Sequence, residues 1–413
     1  MILGLHKEFR YNFVMNKEIN LSIKPDYVLK YKDAYPLVTK DSIEDLSKLT
    51  QEGLILKLVD KNNTFIAKAY YGKQNKGYGW VLSYDKNEKL DAEFFSTKIA
   101  SAIEYRKSFF SDLTTTAFRV FNGEGDGVGG LTIDHYDGYY VLTWYSHGIY
   151  AFKEAILEAL KSCVDYKGIY QKKRFDTKGM YLDDADDFLY GQRAPEPLIV
   201  KENGANFAVY LDDGAMVGVF LDQKDVRRTI RDKYAKGKTV LNTFSYTGAF
   251  SIFAALGGST GTTSVDLAKR SLPKTSEQFE VNSIDLQHQE IIVEDVFNYF
   301  KYAVRKKLLF DMVVLDPPSF ARSKKHTFSA SKDYVNLLKE AIQITHTNGM
   351  IVASTNSANF SMMTFRDFIK KAFKELRLKY RVEESFTLPK DFKVHPKFKE
   401  GDYLKVVFIR KLK

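Results

Sequence analysis

The chain of 413 residues has a single cysteine, Cys163, which excludes a disulfide framework and any zinc site built on several thiolates. One thiol in so long a chain fits a reducing cytoplasm. No apolar run approaches the roughly 18 residues that cross a bilayer. The start, MILGLHKEFRYNF, has no apolar stretch followed by a small-residue cleavage site. A cytoplasmic protein with no membrane partner is the expectation. His6, His135, His147 and His395 show no ligand spacing, so no metal is expected. Internal repeats and low-complexity segments are missing too. Prolines are scarce, nine in all, yet two stand together in 311-DMVVLDPPSF-320.

What is present is charge and apolar mass. Hydrophobic residues make up 44%, enough for sizeable cores, and the net charge is +10. The positive balance suits a polyanionic partner, although many soluble proteins are mildly basic. Three regions follow from patterning. Residues 1–75 hold short β-like runs such as 54-LILKLVD-60 and 64-TFIAKAYYG-72, the mark of a small β-rich module. Residues 76–190 mix an amphipathic helix (91–110, Asp91 as N-cap), a hairpin across Asp137-Gly138, a helix over 150–162 and a strand over 167–172. The acidic stretch 182-LDDADDFLYGQRAPEP-197 reads as the boundary to the last region, 191–413, where apolar strands alternate with helices. That alternation predicts an α/β domain with a mixed, mostly parallel, doubly wound sheet, whose ligands bind at the carboxyl ends of its strands.

Three of those strand ends carry suitable chemistry. The first breaks at 242-NTFSYTGAFS-251, where Gly248 allows a close turn into a helix N-terminus. The second ends in Asp266, 18 residues later, a spacing suited to ribose hydroxyls. The third ends in Glu294-Asp295, which could accept from an adenine amine. Each acid could equally cap the next helix. The 242–251 loop lacks G-x-G-x-x-G, which disfavours NAD and FAD, and the chain has no G-x-x-x-x-G-K-[ST]. A nucleoside without phosphates fits this loop, and S-adenosylmethionine is the common one.

These residues resemble a known family. N-T-F-S-Y-T-G-A-F-S, S-V-D at 264–266, E-D-V at 294–296 and D-P-P-S-F-A-R-S-K at 316–324 are similar to the class I S-adenosylmethionine-dependent 23S rRNA methyltransferases. The stretches 119-RVFNGEGDGVGGLTID-134 and 219-VFLDQKDVRR-228 look like two further signatures. The resemblance implies a PUA-like RNA-binding domain (1–75), a central α+β domain (76–190) and a Rossmann-like methyltransferase domain (191–413). It implies cofactor contacts from Gln223, Phe244, Ser245, Tyr246, Thr247, Gly248, Asp266 and Asp295. The sequence departs from the family at 216-MVG-218, where relatives often have Lys-Thr-Gly. The first module could also be structural, with no RNA contact.

The paired prolines then take a role. Asp316 and the Pro317 carbonyl region can accept hydrogen bonds from a flipped base, and Phe320 can stack on its face. Arg322, Lys324 and Lys325 follow at once and would meet RNA phosphates, with 172-KKR-174 and the helical lysines of 369–381 as extensions. Cytosine carbon-5 needs a thiolate, yet Asn356 stands about where cytosine-modifying members carry cysteine, and Cys163 reads as a packing residue. The S-T-N pattern resembles the guanine-modifying branch. Transfer to a guanine nitrogen of 23S rRNA, free or in a large-subunit precursor, is the expectation. Cytosine carbon-5 by another route, and a non-catalytic RNA-binding assembly factor, are the alternatives. A homodimer is compatible with the sequence.

Overall fold

The structure, a computed structural model, describes residues 18–74, 77–175, 187–214, 216–322 and 327–413, without the side chains of 321, 322 and 327. The chain divides into two compact units. One holds the residues up to Glu196 with Tyr210–Val217 and Lys390–Gly401; the other holds Pro197–Val209, Gly218–Pro389 and Asp402–Lys413.

The first unit contains two five-stranded sheets. One runs Glu18–Ser22, Ile55–Val59, Phe65–Gln74, Gly77–Ser83, Leu37–Thr39, over a core that includes Leu21, Tyr31, Leu56, Leu58 and Val81. The other runs Phe188–Gly191, Gly168–Lys173, Tyr139–Trp144, Leu131–Tyr136, Ala117–Asn122. Its Asp137-Gly138 turn has φ of 47° and 88°, so both central residues are left-handed, the geometry that matches the twist of a two-residue hairpin. Helices Ala92–Tyr105 and Lys153–Cys163 bury Phe95, Ile99 and Ala102, and Ile156, Leu157 and Leu160, in one core with Phe118, Ile133 and Trp144. Asp91 caps the first, accepting from the Phe94 amide at 3.2 Å. Cys163 is partly buried against that core, as a packing residue would be.

Lys172 corrects the reading of 172-KKR-174 as an RNA track. It is 2% exposed and paired with Asp187 at 2.7 Å, because an uncompensated buried ammonium would be too costly. Arg106 is buried likewise. Its guanidinium grips Asp126 at 2.7 and 3.1 Å and donates from Nε to the Asp391 carbonyl at 2.8 Å. Asp391 also accepts from the Arg119 amide at 2.9 Å. These bonds fasten Lys390–Gly401 into the first unit.

The second unit is built on seven strands: β1 (Thr239–Thr243), β2 (Gly261–Asp266), β3 (Gln289–Val293), β4 (Phe310–Leu315), β5 (Thr345–Thr355), β6 (Tyr380–Phe386) and β7 (Lys405–Lys411). Their order is β3-β2-β1-β4-β5-β7-β6. β1 to β5 are parallel and β7 is antiparallel to both its neighbours. After the short helix Lys224–Thr229, the helices that alternate with the strands are α1 (Ala249–Leu256), α2 (Ser271–Glu280), α3 (Val296–Lys306), α4 (Ala330–Gln343) and α5 (Met362–Glu375). Alternate residues of one strand serve opposite layers. Val313 and Leu315 join the core of α3, α4 and α5, while Met312 and Val314 join that of α1 and of Val226 and Ile230 from the helical stretch that precedes β1. Both faces of β4 are covered, so 312-MVVL-315 reads as a continuous apolar run.

One reading of this region changes. The helix α5 ends at Glu375, so 377–381 is not helical surface; Arg381 lies on edge strand β6 and pairs with Glu383 at 2.7 Å. Among the described residues, no helix is long and apolar enough to cross a membrane.

Candidate active site

Five parallel strands deliver their carboxyl ends to one edge of the sheet, and a cavity of about 350 Å³ lies there. Its wall includes Gln223, Phe244, Ser245, Tyr246, Thr247, Asp266, Asp295, Asp316, Pro317 and Asn356. Of the other residues singled out in the sequence, Gly248 starts α1 and Phe320 is 62% exposed on the strand Phe320–Arg322; neither is on that wall. The Arg322 side chain, Lys324 and Lys325 lie outside the described residues.

The loop after β1 is shaped by unusual backbone. Phe244 and Tyr246 have φ of 55° and 53°, a region that L residues seldom occupy, and Gly248 has 78°. The neighbours hold this conformation in place. The Ser245 amide donates to the Val265 carbonyl at 3.1 Å, and the Gly248 amide to the Ser245 carbonyl at 2.7 Å. The Thr247 hydroxyl donates to the Gly218 carbonyl at 2.7 Å. A side chain at Gly248 would place its Cβ 2.5 Å from the Thr275 methyl carbon. Glycine is therefore required there for both torsion and space.

Asp266 does local work as well as facing the cavity. One carboxylate oxygen accepts from the Tyr246 amide and the other from the Ala268 amide, both at 2.9 Å. Asp295 caps α3, accepting from Phe297 at 2.9 Å and Asn298 at 3.3 Å. Asp295 thus caps the next helix while lining the cavity, whereas Asp266 caps no helix and braces the loop after β1 instead.

Gln223 links two strand ends. Its amide nitrogen donates to Asp316 at 3.1 Å and to the Ser354 hydroxyl at 2.8 Å. Both protons are used, so its carbonyl oxygen is left over. That oxygen and the Ser245 hydroxyl are buried and have no hydrogen-bond partner among the described residues. Buried polar atoms rarely stay unpaired, so two such atoms on one wall fit a polar ligand. Burial, with Asp222 nearby, raises the Asp316 carboxyl from 3.8 to about 6, against the hydrogen bonds of Ser354 and Gln223 that oppose the rise. The adjacent strand end brings Asn356, whose Oδ1 accepts from the Ser319 hydroxyl at 2.5 Å. The wall contains no cysteine.

The sequence reading missed a support beneath this wall. Arg227 is buried and held by two 2.7 Å bonds to Glu202, with a third to the Phe220 carbonyl. Arg227, Asp222 and Phe220 also line the cavity. The stretch 219-VFLDQKDVRR-228 was the signal for them, since it packs six polar side chains into a segment that a fold alone would not require.

The profile of the S-adenosylmethionine-dependent methyltransferases matches residues 120–396, and that of the PUA-like domain matches 21–84. The chain belongs to the S-adenosylmethionine-dependent methyltransferase family. Its cofactor is S-adenosylmethionine, and the sheet order is that of the Rossmann-like class I enzymes. The methyltransferase is 56% identical to Bacillus subtilis YwbD, provisionally named a ribosomal RNA large subunit methyltransferase, over 95% of this chain and 99% of that one. It is 30% identical to ribosomal RNA large subunit methyltransferase I of Aliivibrio fischeri, over 90% and 94%. The crystal structure of SMU.776 complexed with SAH superimposes with a TM-score of 0.87, at 38% identity, over 95% of this chain and 100% of that one.

Proposed function

We propose that this methyltransferase modifies a base of 23S ribosomal RNA, free or within a large-subunit precursor, and that the acceptor is a guanine nitrogen. The relatives' names support the RNA class. The observation that carries the base is that Asp316 and Asn356 share a cavity wall that has no thiol. Bound S-adenosylmethionine supplies an electrophilic methyl group on a sulfonium. The cavity residues do the rest. Gln223, Phe244 to Gly248, Asp266 and Asp295 hold the cofactor, with the spare Gln223 oxygen and Ser245 hydroxyl as polar partners.

Guanine N7 has a lone pair in the ring plane, so positioning it against the methyl group suffices. An exocyclic amine must also lose a proton, which Asp316 can accept when ionised, its state above about pH 6. Carbon-5 of cytosine needs a nucleophile added to the ring, and an asparagine cannot form that bond. Phe320 offers an exposed ring on which a flipped base can stack. The PUA-like domain and the Arg322, Lys324 and Lys325 run are the proposed grips on RNA.

Nucleoside mass mapping of rRNA from a strain lacking the protein tests this. Loss of one methylguanosine is the expected outcome, and loss of a 5-methylcytosine would overturn the guanine assignment. A Cys163→Ser enzyme should keep its transfer rate.

A further inference from the structure

Asn356 is an amide, and an amide reads opposite chemistry with its two ends: Oδ1 accepts and Nδ2 donates. Which end meets a base depends on what fixes the other. Here the Ser319 hydroxyl donates to Oδ1 at 2.5 Å, while among the described residues Nδ2 has no acceptor. Ser319 is itself firmly placed. Pro317 and Pro318 precede it with fixed φ, its carbonyl accepts from the Ala330 amide at the start of α4 at 3.0 Å, and Phe320 enters a strand paired with Ser329. The chain after Asn356 is held as well. The Ser357 amide donates to the Thr355 hydroxyl at 3.3 Å, and its carbonyl accepts from buried Lys405 at 3.0 Å. Two adjacent strand ends, in register at Leu315 and Ala353, therefore set a hydroxyl against an amide oxygen.

We infer that Ser319 is a positioning residue that turns the Asn356 amide so that its N–H donors face the substrate base, selecting a base with a carbonyl oxygen there. This rests on the rRNA reading above. On guanine the matching acceptor is O6, which lies between N7 and N1 and so borders both candidate edges. Adenine carries an amine at that position, and donor would meet donor. With Ser319 removed, the amide can turn over and present its oxygen, which repels the guanine carbonyl.

The test compares wild type, Ser319→Ala and Ser319→Thr on the rRNA segment holding the mapped target, with either guanine or 2-aminopurine (guanine without O6) at that nucleotide. Ser319→Ala should lower kcat/KM on guanine RNA roughly tenfold, the cost of one misdirected hydrogen bond. S-adenosylmethionine affinity and Tm should stay at wild-type values, and Ser319→Thr, which keeps a hydroxyl, should recover the rate. Wild type on 2-aminopurine RNA should lose a similar factor, and Ser319→Ala should lose little more there, because both changes remove one interaction. Equal rates for Ser319→Ala and wild type on guanine RNA would overturn the role of Ser319 alone. So would a fall in Tm that accounts for the loss, with Ser319→Thr no better. A wild-type enzyme that methylates no 23S rRNA would overturn the rRNA reading and this inference with it.

Discussion

Replacing Asp316 with asparagine tests the electrostatics of the active site. The side chain keeps its shape and one acceptor oxygen for Gln223, 3.1 Å away, but can no longer ionise. In the wild type, burial raises this carboxyl from 3.8 to about 6. The folded protein therefore binds more protons than the unfolded chain between those values, so stability must fall as pH rises through that window. The full rise is worth about 3 kcal/mol. Glu124, pushed up to about 7 by burial, titrates in both proteins, so the difference between them isolates Asp316. Urea unfolding at half-unit steps from pH 4 to 7 should show Asp316→Asn gaining on wild type by about 2–3 kcal/mol, mostly between pH 4 and 6. Methyl transfer should move the other way where the acceptor is an exocyclic amine, absent in the variant and declining in wild type as pH falls below about 6, whereas transfer to N7 should survive the substitution. Parallel stability curves for the two proteins would refute the claim that Asp316 is held in a costly ionised state.

Asp266→Ala should raise the Kd for S-adenosylmethionine about tenfold to a hundredfold by calorimetry, since the carboxylate also pins the Tyr246 and Ala268 amides. Unchanged affinity would remove Asp266 from the cofactor site. Gly248→Ala should cost about 2 kcal/mol in urea unfolding, from a left-handed alanine pressed on Thr275. Adding Thr275→Ser, which deletes the opposing methyl, should restore part of that. Replacing Lys324 and Lys325 together by alanine should flatten the plot of log affinity for rRNA against log salt by about two. An unchanged slope would put the RNA elsewhere.

The sheet of the second unit was legible because β4 and β5 are covered on both faces and so carry the apolar runs 312-MVVL-315 and 350-MIVA-353. Strand β6 was not. At the sheet edge, with Arg381, Glu383 and Glu384 along it, it reads as the polar tail of α5. The site acids were legible from their place at strand ends. Their second role, as acceptors for Tyr246 or caps for α3, could not be separated from ligand binding by spacing alone. Buried ion pairs leave no local trace: Glu202 and Arg227 stand 25 residues apart, and Lys172 finds Asp187 15 residues on, so 172-KKR-174 read as an RNA track although its first lysine is core.

The chain passes between the units five times, after Glu196, Val209, Val217, Pro389 and Gly401. This gives translation a say in folding. Domains usually mature in the order they leave the ribosome, at about 5–20 residues per second. Here the amino-terminal unit cannot close until Lys390–Gly401 has been made, tens of seconds after Arg106 and Arg119 emerge. Until then Arg106 has no Asp391 carbonyl, the Arg119 amide has no carboxylate, and the places of Phe392 and Phe398 stay open. A nascent chain stalled short of residue 390 would expose that gap, and no single cut could release either unit whole.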